Sequence, residues 1–272
     1  MTVKNILVAY PGWGAGQSPL IRALKIAAHH DAWVTGIVGH GTSQLRSLFG
    51  SRAPQEVIDA LRKQEREEID AAKTVFATMA EEYGRAHAAE SLDVFDEDGA
   101  TVASFARTFD LVVTAPASER RSDDHLSASP DLIALQSGRP VLIVPKGYDA
   151  PGLSTHVLVA WDGKRAAARA VGDAMTMLQD KGMVSVLTVG SRIPEGTARL
   201  VENLTRHGIN ARHLQRSRTG SVGATILATT GEVGADLIVM GAYEHSKFSH
   251  DMFGGVTTDV MKDTRVPVFM SH

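Results

Sequence analysis

The chain carries one pattern twice. Lys4-Asn-Ile-Leu-Val-Ala-Tyr-Pro-Gly12 aligns with Thr155-His-Val-Leu-Val-Ala-Trp-Asp-Gly163. Phe109-Asp-Leu-Val-Val-Thr-Ala-Pro116 aligns with Ala235-Asp-Leu-Ile-Val-Met-Gly-Ala242, and Gly138-Arg-Pro-Val-Leu-Ile143 with Arg265-Val-Pro-Val-Phe-Met270. The first offset is 151 residues and the other two are 126 and 127, so the first copy holds extra residues in its middle. Copies this long are domain-sized rather than solenoid units. The repeat predicts two tandem domains, 1–146 and 153–272, joined by the glycine- and proline-containing Lys146-Gly-Tyr-Asp-Ala-Pro-Gly152. Short apolar strands alternate with helical patterns in both, which predicts α/β units with open parallel sheets flanked by helices.

Composition narrows the function classes. A net charge of −3 over 272 residues gives no electrostatic reason to expect nucleic acid or an anionic membrane. The absence of cysteine excludes disulfides, thiolate metal sites and cysteine nucleophiles, and fits a reducing compartment. No apolar run reaches bilayer-spanning length, and the short first strand reads as no signal peptide, so a cytoplasmic location is expected. Residues 147–272 hold 13 Lys and Arg against 12 Asp and Glu, whereas the preceding part is net acidic; an anion site is expected in the second copy.

In the first copy, strands are expected at Ile6–Ala9, Trp33–Val38, Leu92–Phe95, Leu111–Val113 and Val141–Val144. Ser18-Pro19 reads as a cap and first turn of a helix whose stripe is Leu20, Ile21, Leu24, Ala27 and Ala28. The glycines at 12, 14 and 16 do not complete G-x-G-x-x-G, because Gln17 takes the place of the third. Residues 54–83 read as one long helix with Val57, Ile58, Leu61, Ile69, Ala72, Val75, Phe76 and Met79 near one face. Its run Arg62–Glu68 is expected to be a solvated surface. A helix is expected from Gly99 to Arg107.

The second copy repeats the plan. Strand Val157–Ala160 ends on Trp161-Asp162-Gly163. Asp162 reads either as a group facing a ligand at the carboxyl end of the sheet or as the N-cap of a helix over Lys164–Gln179. Further strands are expected at Val184–Val189, Ala211–Leu214 and Leu237–Met240, with helices at Ala198–His207 and Ser221–Thr230. Arg206, Arg212, Arg216 and Arg218 lack interleaved aromatics and read as solvated cations, not a nucleic-acid patch. After Met240 come Gly241, a polar loop, Gly254-Gly255, and a helix from Val256. Unpaired N–H groups at a helix start favour an anion, and glycines let it approach the backbone. An ordinary βα turn uses glycines in the same places. In the corresponding part of the first copy, Thr114–Asp124, there is no glycine.

These residues resemble the universal stress protein family, in a tandem arrangement: Val157-Leu-Val-Ala-Trp-Asp-Gly163, Asp236-Leu-Ile-Val-Met-Gly-Ala-Tyr243, Phe253-Gly-Gly-Val-Thr257 and Pro267-Val-Phe-Met270. The resemblance implies a five-stranded, Rossmann-like parallel sheet per copy. It also implies an intrachain pseudo-dimer through the last strands, and scope for a further homodimer. ATP-binding members are similar to one another in a G-x-x-G-x9-G-[S/T] loop, here matched at Gly241 and Gly254. Glu244 replaces the middle glycine and Gly255 the hydroxyl residue. The nucleotide contacts implied are Ala160, Asp162, Val189, Met240, Gly241, Glu244, Gly254, Gly255, Val256 and Thr257. A carboxylate at 244 beside a triphosphate is repulsive, and Lys247 is placed to offset part of it. In the first copy Pro11 stands in place of the aspartate, and no nucleotide is expected there.

Two functions follow from the resemblance. One is regulatory ATP binding, with magnesium, in the second copy; the other is a nucleotide-free stress protein acting as a dimerising or partner-binding module. Neither a Walker A motif nor a nucleophile–base pair is present, so catalysis beyond slow ATP hydrolysis is not expected and no catalytic residue is assigned. His245, His250 and Asp251 read as surface residues rather than metal ligands.

Overall fold

The computed structural model describes residues 3–9, 17–40, 54–95, 101–116, 130–242 and 255–272. The strands are β1 (Asn5–Ala9), β2 (Trp33–His40), β3 (Ala89–Phe95), β4 (Leu111–Thr114), β5 (Val141–Ile143), β6 (His156–Ala160), β7 (Met183–Val189), β8 (Ala211–Arg216), β9 (Leu237–Gly241) and β10 (Val268–Ser271). They form one ten-stranded sheet in the order β3-β2-β1-β4-β5-β10-β9-β6-β7-β8. Each sequence repeat is therefore a five-stranded half with the same strand order, read outward from the middle. Pairing within each half is parallel. The halves meet at β5 and β10, which run antiparallel with Val268 opposite Ile143 and Met270 opposite Val141.

The helices are α1 (Ser18–His30), α2 (Gln55–Glu82), α3 (Val102–Ala106), α4 (Pro130–Gln136), α5 (Arg165–Gln179), α6 (Thr197–Arg206), α7 (Val222–Val233) and α8 (Val256–Asp263). The period-2 alternation of the strands sorts side chains into two cores, one on each face. Ile6, Val8, Leu142, Val157, Val159 and Phe269 meet α1, α2, α5 and α6 on one face. Leu7, Val141, Ile143, Leu158, Val268 and Met270 meet α3, α4, α7 and α8 on the other. Strands buried on both faces explain the continuous apolar runs of the sequence.

The repeated aspartate has a structural task in both halves. Asp110 Oδ2 accepts from the backbone N–H groups of Lys4 at 2.8 Å and Asn5 at 2.9 Å. Asp236 does the same for Thr155 and His156, with distances of 2.8 to 3.1 Å. Each carboxylate thus supplies acceptors to backbone donors that precede or open a central strand, and fixes that strand's register against the next.

The extra residues of the first half form α2, 28 residues long. Only its C-terminal part is seated. Phe76, Met79 and Ala80 join the core, and the Phe76 ring lies so close to Gly36 of β2 that an added Cβ there would stand 2.8 Å from Cε2. The described residues of its N-terminal half are mostly exposed.

Several local expectations are corrected. Ser18 is inside α1; Gln17 occupies the cap position and no side chain caps the helix, because Pro19 sits in the first turn with Ser18 already helical and buried. β3 begins at Ala89 rather than 92, since it pairs with β2 residue by residue from Val34–Ala89 onward. Helix α3 starts at Val102, after a capping box between Thr101 and Ser104. Helix α4 was not legible in the sequence: its seven residues are too few to establish a helical period. Residues 10–16, and those from 117 on in the Thr114–Asp124 segment, lie outside the described residues.

The segment joining the halves is strapped down. Arg22 of α1 donates to the Gly152 carbonyl at 2.8 Å and the Ser154 hydroxyl at 2.7 Å, and its guanidinium stands 5.9 Å from the centre of the Tyr148 ring. Lys25 Nζ donates to the Ala150 carbonyl at 2.5 Å and lies 3.6 Å from Asp149. One face of α1 therefore grips the connection along several residues.

Candidate functional site

In an open parallel sheet, a crevice forms at the carboxyl edge where neighbouring strands send their connections in opposite directions. In the second half that place lies between β6 and β9. Strand β6 leads through α5 to β7 on one side, and β9 leads through α8 to β10 on the other. Ala160 at the end of β6 pairs with Met240 of β9 and with Leu187 of β7, two residues before Val189. Ala160, Met240, Gly241 and Val189 thus share one edge of the sheet. Met240 is buried; Ala160 and Val189 are half-buried.

Asp162 follows β6 and is exposed. It is not the helix N-cap: that position belongs to Lys164, whose backbone N–H donates to Asp162 Oδ1 at 3.0 Å. The Asp162-Gly163 turn, with Gly163 at φ +78°, sets the aspartate two residues ahead of α5, so its carboxylate closes a local turn instead of covering the first helical N–H groups. Pro194 occupies the space a Cβ on Gly163 would need, at 2.8 Å.

Gly241 has a packing reason of its own. An added Cβ would stand 2.6 Å from the Ala166 carbonyl carbon and 2.6 Å from the Ala167 nitrogen, so β9 ends hard against the first turn of α5. That approach is possible only without a side chain.

Helix α8 starts at Val256 with Gly255 as its N-cap, extended and without a side-chain cap. Among the described residues, nothing lies within 4 Å of the Cβ position at Gly255. Helix α5 also lacks a side-chain cap. In contrast, α7 is capped by Ser221, which accepts from the Ala224 N–H at 3.0 Å. Two helices on opposite faces thus begin at the carboxyl edge with no N-cap side chain bonded to their first N–H groups among the described residues, the arrangement that suits an anion. Val256 is half-buried and Thr257 buried in that first turn. Glu244 and Gly254, with Lys247, His245, His250 and Asp251, lie outside the described residues.

Two polar groups nearby were not singled out from the sequence. Ser271 pairs with Gly241, is 2% exposed, and its hydroxyl has no hydrogen-bond partner among the described residues. The indole N–H of Trp161, next to Asp162, is also buried without a partner among the described residues. A serine closing an apolar strand was the one available signal for the first.

Arg206, Arg212, Arg216 and Arg218 are accounted for locally. Arg216 pairs with Glu232 at 2.7 Å, Arg206 with Glu202, Arg212 donates to Ser185 and Arg218 to the Gly220 carbonyl. Among the described residues, no helix is long and apolar enough to cross a membrane.

The sheet order, helices on both faces and crevice at a switch point define the chain as an open, doubly wound α/β protein. Residues 195–272 match the model of the Universal stress protein family. A universal stress protein of Synechocystis is 25% identical over 262 residues, covering 91% of this chain and 85% of that one. The crystal structure of a universal stress protein from Archaeoglobus fulgidus superposes with a TM-score of 0.72 at 18% identity, covering 100% of this chain and 96% of that chain. A putative universal stress protein from Pseudomonas aeruginosa gives a TM-score of 0.55 at 14% identity, with coverages of 99% and 93%. Residues 195–272 are thus similar to the universal stress protein family, and the chain as a whole shares the fold of the solved structures.

Proposed function

We propose that this chain is a regulatory stress protein that binds an adenine nucleotide in its second half, at the crevice between β6 and β9. The observation that carries the reading is the start of α8 at Gly255, without a side-chain cap among the described residues, at the carboxyl edge of a topological switch point. In this reading Asp162, Ala160 and Val189 face the nucleoside, Met240 and Gly241 floor the crevice, and Gly254, Gly255, Val256 and Thr257 receive the phosphates. The donor set fits a polyphosphate: backbone N–H groups with no competing side-chain cap among the described residues. Magnesium, when bound, would neutralise phosphate charge, and Glu244 would weaken binding relative to a glycine there.

The same reading divides the chain into domains 1–146 and 153–272, forming an intrachain pseudo-dimer across β5 and β10, with a cytoplasmic location. The first domain binds no nucleotide in this account, and no catalytic group is assigned. A second reading, a nucleotide-free partner-binding module, is favoured by Gly241: close packing against α5 explains that glycine without any ligand. Titration of the purified chain with Mg-ATP, read by calorimetry, separates the two. Saturable binding of one nucleotide per chain supports the first reading, and absence of heat at millimolar Mg-ATP supports the second.

A further inference from the structure

Helices α1 and α5 belong to different halves, yet their C-terminal ends meet on one face of the sheet. His29 and His30 are the last two residues of α1, and Asp180 is the C-cap of α5. One ligating atom from each of these three residues lies within 4.8 Å of the others. His29 Nε2 is 3.2 Å from Asp180 Oδ2, and the two imidazole rings meet edge to face with centroids 4.7 Å apart. This end of the molecule is the amino edge of the sheet, opposite the crevice between β6 and β9.

We propose that His29, His30 and Asp180 form a binding site for a divalent transition metal ion of zinc-like preference. Two imidazoles and one carboxylate are a ligand set that zinc accepts, with bonds of about 2.0–2.2 Å. Ligands at that distance around a tetrahedral ion stand about 3.3 Å from one another. The His29–Asp180 pair already has that spacing, and a nitrogen of the His30 imidazole lies within 4.8 Å of both. His29 and Asp180 are exposed and His30 half-buried, so the fourth position faces solvent and is open to water. The backbone supports a cation as well. Two helix C-termini converge here, each with the negative end of its dipole. The end carbonyls of α1 are already taken by an ammonium, as Lys4 Nζ donates to the carbonyls of His30 at 3.0 Å and Asp31 at 2.9 Å. That ammonium is directed at the carbonyls and at the Asp31 carboxylate 3.8 Å away. The positive charges of Lys4 and Lys181 beside His30 are ones the Asp180 carboxylate must offset. The ion would tie α1 to α5 beside the grip of Arg22 and Lys25, cross-linking the two halves.

The test uses the untagged full chain, stripped with chelator and titrated with zinc chloride by calorimetry, alongside His29→Ala, His30→Ala and Asp180→Asn. The expected result is one zinc per chain, with affinity reduced at least about tenfold in each variant. A His245→Ala/His250→Ala double variant should bind as the parent does. His29 and Asp180 are on the surface, so their variants keep the fold even if the His30 variant does not. Failure of the parent to bind zinc, undiminished binding in the His29 and Asp180 variants, or loss confined to the His245/His250 variant overturns the proposal. None of these outcomes depends on nucleotide binding.

Discussion

The Arg22 guanidinium donates to the Ser154 hydroxyl at 2.7 Å, so a helix of the first half holds the chain just before it enters β6 of the second. Arg22 is 3% exposed, and burial lowers its pKa from the usual arginine value, opposed by Tyr148 and Asp236. Ser154 passes the contact on by donating to the Asp236 carbonyl at 3.2 Å. The two halves are therefore coupled through side chains as well as through β5 and β10.

Arg22→Ala should lower unfolding stability by about 2–4 kcal/mol, because it removes a buried side chain together with its donors to the Gly152 carbonyl and the Ser154 hydroxyl and empties the space over Tyr148. Arg22→Lys should recover only part of this, since an ammonium cannot reach both acceptors as the planar fork does. Urea denaturation followed by circular dichroism measures both. Parent-like stability for Arg22→Ala would show that the coupling is carried by the sheet alone.

Gly36→Ala places a methyl group 2.8 Å from the Phe76 ring. The expected loss is about 1–3 kcal/mol. Because the obstacle is the end of one side chain, the double variant Gly36→Ala/Phe76→Leu should lose less than the sum of the two single changes. Strict additivity in denaturant titrations would mean that α2 does not seat on β2 through this contact.

Much of this was legible in the sequence, and the reason is physical. Repeated apolar runs such as Ile6–Ala9 and Val157–Ala160 have no other use than strands buried on both faces, and Leu20, Leu24 and Ala27 mark one helical stripe. The equivalence of Asp110 and Asp236 was visible as a repeat, but not their grip on the preceding strand, which depends on side-chain direction. The cluster of His29, His30 and Asp180 was invisible for the same reason: Asp180 lies 151 residues beyond His29, and the two meet across the halves that the antiparallel β5–β10 joint holds together. At the candidate site, the sequence marked Gly241 for phosphate, whereas the structure also gives it a packing role. Of the two roles left open for Asp162, the N-cap of α5 is not the one found, because an aspartate before a glycine forms a local turn as readily as a cap.

Gly241→Ala should destabilise the chain even without ligand, at the upper end of about 1–3 kcal/mol, since the obstacle is α5 backbone that cannot rotate away. Thermal unfolding of nucleotide-free protein measures this. An unchanged midpoint would return Gly241 to a purely ligand-facing role.

Gly255→Ser behaves differently. The space at Gly255 is open among the described residues, and serine is a slightly better N-cap than glycine, so stability should stay within about 0.5 kcal/mol. Under the nucleotide reading, it restores the hydroxyl of the family loop and ATP affinity should not fall. Glu244→Gly should raise affinity by removing a like charge from the phosphate path. Calorimetric titration with Mg-ATP checks both, and an unaltered affinity for Glu244→Gly would remove that residue from the path.

The most direct test of the account is to denature the purified chain and identify any released nucleotide by chromatography, then to titrate the emptied protein with Mg-ATP while following thermal stability. The expected result is ATP or ADP at up to one per chain, together with a midpoint that rises with ligand concentration, as binding to the native state requires. A chain that releases no nucleotide and whose midpoint is indifferent to millimolar Mg-ATP would contradict the assignment of the crevice between β6 and β9.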